Sequence, residues 1–210
     1  MSDLTPLGGA RLERLAVSAM DNNVYLLTAR TGEQLLVDAA DDAEAILAMV
    51  GTGALRTVVT THGHWDHHRA LPAVVAATGA RTAAGAADVA DLPVRVDQHL
   101  AHGDRLTVGE LELDVVALRG HTPGSVALAL TEPVDAPRPG RVHLLTGDSL
   151  FPGGVGRTSG AADFTSLLDD VEERLFAVYP DDTVVWPGHG LPTTLGVERP
   201  HLAEWRERGW

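Results

Sequence analysis

The 210-residue chain is long enough to bury a core of its own and reads as one domain over residues 1–210. Its net charge of −13 excludes nucleic acid and anionic membrane as natural partners, because like charges repel. With no cysteine, it has no disulfide framework and no thiolate to serve as nucleophile or ligand.

The segment Met1–Arg14 lacks the basic start and apolar run of a secretory signal. No uncharged apolar stretch approaches the ~20 residues that span a bilayer, so a cytoplasmic location is expected. Val24–Thr28 and Gln34–Asp38 read as strands of a hairpin around Thr31-Gly32. Asp42–Val50 reads as a helix with an acidic start, and Leu55–Thr60 as a buried, β-branched strand. A polar cluster, Thr61–Asp66, follows, and then a helix over about His67–Ala77, with Pro72 near its first turn. Arg81–Asp91 reads as a shorter strand–helix unit, and Arg105–Leu118 as a second hairpin around Val108-Gly109. Val126–Leu130 and Val142–Thr146 are strands, separated by the proline-rich, charged surface loop Thr131–Gly140. Phe164–Val178 is an amphipathic helix with Asp163 as its expected N-cap; Thr183–Trp186 is a strand and Glu198–Arg208 a terminal helix. Two packed sheets with helices outside fit this order, as do other mixed α/β arrangements.

Chemistry concentrates in Thr61-His62-Gly63-His64-Trp65-Asp66-His67-His68. Alternate residues of an extended chain point the same way, so His62 and His64 can face one ion together. A turn into helix at Asp66 would let Asp66 and His67 reach a neighbouring point. Imidazole with carboxylate suits zinc, manganese or iron. So short a cluster cannot close a coordination shell, and three candidates stand further along in glycine-rich turns just past strands. They are His121 in Gly120–Gly124, Asp148 in Thr146–Ser149 and His189 in Pro187–Gly190.

Taken in order, T-H-x-H-x-D-H, G-H-T-P-G-S, G-D-S-L-F and P-G-H-G resemble the metallo-β-lactamase superfamily, and within it the glyoxalase II-like (hydroxyacylglutathione hydrolase-like) group. The resemblance runs from Asn22 to about Gly190. It implies an α/β fold, a four-layer αββα sandwich with two divalent metal ions at one edge of its sheets. His62, His64 and His121 would hold the first ion, Asp66, His67 and His189 the second, and Asp148 both, with Asp38 steadying the site from behind. Zinc is the first choice of metal, iron and manganese the alternatives. Only a short tail follows His189, so the helical extension with which glyoxalase II grips glutathione is expected to be absent. Gly153–Thr158 resembles the G-R-T segment of short glyoxalase II-like proteins and persulfide dioxygenases, and His68-Arg69-Ala70 replaces the small residues usual after the D-H pair.

The chemistry so implied is hydrolysis of a small-molecule thioester by a water shared between the ions, with Asp66 as a catalytic group orienting that water. A thiol with a pKa of ~8.5 leaves readily, which suits a site with no obvious proton donor. A persulfide dioxygenase with one iron, a lactonase and a degenerate metal-binding scaffold are the competing readings, and the chain would be a monomer or a homodimer. His68 is expected in the outer ring or on the surface; His99, His102, His143 and His201 are read as surface or hydrogen-bonded. Arg157 is open to either an anionic group of the substrate or a structural ion pair. Trp65 is read as packing at the pocket wall, and Trp205 and Trp210 as packing the terminal helix or a dimer contact.

Overall fold

Seven strands lie side by side in chain order in the first sheet of the computed structural model, which describes residues 3–209. They are β1 (Asp3–Leu7), β2 (Ala10–Val17), β3 (Asn22–Thr28), β4 (Glu33–Val37), β5 (Ala54–Thr60), β6 (Arg81–Gly85) and β7 (Gln98–Leu100). β1 to β4 form an antiparallel meander, whereas β4 to β7 run parallel. Parallel neighbours need crossovers, and helices α1 (Ala43–Val50) and α2 (Leu71–Thr78) supply two of them.

The second sheet holds β8 (Arg105–Val108), β9 (Leu111–Ala117), β10 (Val126–Thr131), β11 (Val142–Gly147) and, beyond a small ribbon of β12 (Leu150–Phe151) and β13 (Gly154–Val155), β14 (Val184–Pro187) and β15 (Thr193–Thr194). Helices α3 (Ala161–Val171), α4 (Leu195–Glu198) and α5 (Leu202–Arg208) belong to this half. Leu27, Leu35, Leu113, Leu128 and Trp186 interdigitate between the sheets. Ile46 and Leu71 pack α1 and α2 on the outside of the first sheet, and Leu167, Leu168 and Trp205 pack α3 and α5 on the outside of the second. Helix, sheet, sheet, helix is the expected αββα order. β3 and β11 are buried along their whole lengths, including the polar Asn22, Asn23 and His143.

Several elements depart from the sequence reading. β1 and β2 had no counterpart in it: β2 (ARLERLAV) carries charges on a half-exposed face, and β1 is an edge strand that tolerates Pro6. No helix begins at His67. Trp65–His67 is a single 3-10 turn, the chain breaks at His68, and α2 starts at Leu71 with Pro72 in its first turn, where the missing N–H costs nothing. α3 starts earlier than expected, capped at Gly160, so Asp163 sits in its first turn rather than at the N-cap. After Val171 the helix widens into one π turn, Glu172–Phe176. Trp205 is buried and meets Phe176 edge-on, whereas Trp210 lies outside the described residues.

Candidate metal centre

Four chain segments leave the sheets at the same edge. β5 ends in the turn that carries His62, His64, Asp66 and His67, β9 leads to His121, β11 to Asp148 and β14 to His189. The structure brings all seven side chains into one cluster. His121 Nε2 is 2.9 Å from His64 Nδ1 and 3.3 Å from His62 Nε2. His67 Nε2 is 3.2 Å from His189 Nε2, and Asp66 Oδ2 is 3.3 Å from His189 Nε2 and 3.7 Å from His67 Nε2. Asp148 stands between these two trios: Oδ1 is 3.4 Å from His67 Nε2, and Oδ2 is 3.6 Å from His121 Nε2 and 3.5 Å from His189 Nε2.

These spacings test whether cations fit. Two ligands each 2.0–2.1 Å from a tetrahedral ion lie ~3.3 Å apart, close to the separations found within each trio. Asp148 Oδ1 is buried and accepts no hydrogen bond, an arrangement that is costly unless a cation serves it. His62, His64 and His121 can therefore hold one ion, Asp66, His67 and His189 a second, and Asp148 can reach both.

Behind the cluster, the far nitrogens of the rings are tied down. Asp38 Oδ2 accepts from His67 Nδ1 at 2.8 Å and from the Thr61 hydroxyl at 2.8 Å, while its Oδ1 accepts from Thr61 N–H at 2.7 Å. This is the steadying place expected of Asp38. His121 Nδ1 meets the Arg157 carbonyl at 2.6 Å, His189 Nδ1 the Met20 carbonyl at 2.8 Å, and His62 Nδ1 the Thr61 hydroxyl at 3.1 Å. Such partners fix the tautomer and aim the opposite nitrogen inward. Asn22, fully buried at the start of β3, donates to the Asp66 carboxylate at 3.0 Å and to its carbonyl at 3.1 Å. Asn22 and the two carbonyls escaped the sequence reading. A strand-initial asparagine has no motif around it, and a backbone acceptor leaves no trace in residue identity.

Protonation follows from these neighbours. Burial, then the surrounding imidazoles, hold His62 well below the ordinary histidine value, and burial lowers His121. Burial also opposes charge on His67, but the Asp38 and Asp148 carboxylates outweigh it and raise that ring to about 10. For Asp148, burial is outweighed chiefly by His67, and for Asp66 by the Asn22 amide, so both carboxyls lie below their usual value.

At the mouth, His64, His121, Arg157, Thr158 and Ser159 line a cavity of about 290 Å³. The Arg157 side chain is exposed and forms no ion pair among the described residues, which leaves its structural reading without support. Trp65 is 58% exposed and lines a cavity beside His64 and His121, in keeping with the pocket-wall reading, while the Arg69 guanidinium lies 4.1 Å over its ring. His68 is buried behind the site against the Gly63 carbonyl. His143 is buried between Glu132 and Trp186, while His99, His102 and His201 are exposed.

A two-sheet sandwich with a histidine–aspartate cluster where strand ends from both sheets meet defines a class of metal-site protein. Residues 18–189 match the model of the Metallo-beta-lactamase superfamily, and the chain belongs to that superfamily. A hydroxyacylglutathione hydrolase of Jannaschia sp. (strain CCS1) is 39% identical over 173 residues, covering 80% of this chain and 62% of that protein. The chain thus spans about three fifths of the length of that relative. Among solved structures, ETHE1 from Myxococcus xanthus superposes with a TM-score of 0.77 at 28% identity, covering 93% of this chain and 84% of that one. TTHA1623 in a di-iron-bound form does so with a TM-score of 0.69 at 30% identity, covering 89% and 96%.

Proposed function

We propose that this chain is a metal-dependent hydrolase that cleaves a small-molecule thioester. The observation that carries the reading is Asp148, an under-bonded carboxylate standing between two donor trios. His62, His64 and His121 would hold one cation, Asp66, His67 and His189 the other, and Asp148 both. Two bound divalent cations supply Lewis acidity to an acyl oxygen and bring the pKa of water towards neutrality. Zinc is the first choice for this donor set; the di-iron form of TTHA1623 supports iron as the main alternative.

The protein's own share is positional. Asn22 fixes one oxygen of Asp66, so that carboxylate is held in one orientation at the reacting face, where it would orient an attacking water. Asp38 locks His67. The chain has no lysine, and the Tyr25 hydroxyl is spent on the Pro187 carbonyl, so neither supplies a strong general acid at the site. A thiolate leaving group needs none. The named activity of the Jannaschia relative supports a thioester over a lactone.

Elemental analysis of the purified protein, paired with assays on S-lactoylglutathione, a second acyl thioester, a lactone and glutathione persulfide, tests the reading. Two metals per chain with chelator-sensitive thioester cleavage is the expected result. One iron per chain with O₂ uptake on the persulfide overturns it, as does inactivity on every thioester with both metals bound.

A further inference from the structure

Beyond the ligand cluster lies a carboxylate that the proposed chemistry does not use. Asp88 sits in the 3-10 turn Ala86–Asp91 after β6 and is fully buried. It forms no ion pair among the described residues, and neutral donors carry its charge. Gly63 N–H donates to Oδ2 at 2.8 Å, Gly124 N–H to Oδ1 at 2.7 Å, and the Thr122 hydroxyl to Oδ2. A buried charge without a counter-ion is tolerated only when its lone pairs are satisfied in this way.

The placement of those donors is selective. Gly63 lies between His62 and His64, Thr122 follows His121 directly, and Gly124 is two residues beyond Thr122. Asp88 therefore ties the turn after β5, in the first sheet, to the turn after β9, in the second. These are the two turns whose imidazoles form one donor trio. None of its hydrogen bonds goes to Asp66, His67 or His189. Close packing enforces the arrangement: a Cβ on Gly124 would lie 2.5 Å from Asp88 N and 2.6 Å from its Oδ1.

We infer that Asp88 is a positioning residue that sets the spacing of His62, His64 and His121, and so tunes the cation affinity of that trio alone. The inference rests on the proposed metal centre. Zinc titration against a competing chelator tests it in two backgrounds, His189→Ala, which cripples the second trio, and His64→Ala, which cripples the first. Into each go Asp88→Asn, Thr122→Val and Thr122→Ser, with circular dichroism to follow folding. Asparagine sets an N–H₂ group against one of the converging donors, and valine removes the hydroxyl while keeping its shape.

In the His189→Ala background, Asp88→Asn and Thr122→Val should weaken zinc roughly 10–100-fold, the usual effect of losing an outer partner, and Thr122→Ser should restore it. In the His64→Ala background affinity should stay within about threefold, because Asp88 holds the turn that carries His121 and has no bond to the turn that carries His189. Equal losses in both backgrounds would mean a general structural role and overturn the inference, as would no loss in either. Should Asp88→Asn fail to fold, the Thr122 pair decides the matter. A wild-type chain that takes up no zinc overturns the metal reading, whereas a wild type that binds two ions with Thr122→Val unaffected overturns only the role of Asp88.

Discussion

Asp38→Asn is the sharpest perturbation of the support behind the cluster. Asp38 adopts φ 59°, in the left-handed region, which asparagine tolerates far better than alanine, so the variant changes the carboxylate and not the backbone. The native carboxylate accepts from three donors: Thr61 N–H on one oxygen, and the Thr61 hydroxyl and His67 Nδ1 on the other. An amide has one acceptor oxygen, so its N–H₂ must face at least one of these buried donors. Loss of a charge-assisted bond and one orphaned buried donor together amount to about 2–4 kcal/mol of stability. Because His67 also loses its ring anchor, cation affinity should fall roughly 10–100-fold. Urea unfolding of the metal-free chain measures the first quantity and chelator competition the second. A variant within about 0.5 kcal/mol of wild type that binds metal equally well would refute the proposed anchoring of His67 through Asp38.

Further outcomes follow from other contacts. Asp66→Ala should lower kcat far more than it raises KM if that carboxylate orients the reacting water; near-normal turnover with both metals retained would remove that role. Burial raises the Asp170 carboxyl, but the Arg119 guanidinium and N–H, with Arg174, outweigh it and hold it below its ordinary 3.8. Its stabilisation is therefore present above 3.8 and lost as pH falls through the depressed value. Asp170→Asn should cost about 1.5–3 kcal/mol at neutral pH, a gap that closes in acid, and denaturant melts across pH would show it. Trp65→Ala should change stability by less than about 1 kcal/mol, the scale of an exposed cation–π contact, so any larger effect on KM would report contact with substrate.

The seven clustered side chains were legible in the sequence for a physical reason. His62 to His67 are dense and local, and each distant donor stands in a glycine-rich turn past an apolar strand, where the backbone must bend sharply. What held those donors was legible only in part. Asp38 entered through the family resemblance, whereas Asn22, Asp88 and the carbonyls of Met20 and Arg157 act across long sequence separations without any local pattern. Trp65 was legible as a wall residue from its place between His64 and Asp66, but the Arg69 guanidinium stacked on it was not. β2 was hidden by arginine and glutamate on its half-exposed face, and β1 by its exposure and by Pro6.

Each trio draws two donors from the turn after β5 in the first sheet and one from the second sheet, His121 for one trio and His189 for the other. Asp148 adds a further donor from the second sheet. Neither sheet alone can complete a trio, so a cation bound at either position would cross-link the sheets beside the apolar layer of Leu27, Leu113 and Leu128. Binding that requires the packed sandwich stabilises it by mass action, about 4 kcal/mol for each ion present at a thousandfold excess over its Kd. Without ions, three carboxylates and several buried imidazoles remain crowded at the edge where the sheets meet. Opening of the sandwich should therefore begin at this edge in the stripped chain and elsewhere in the loaded one.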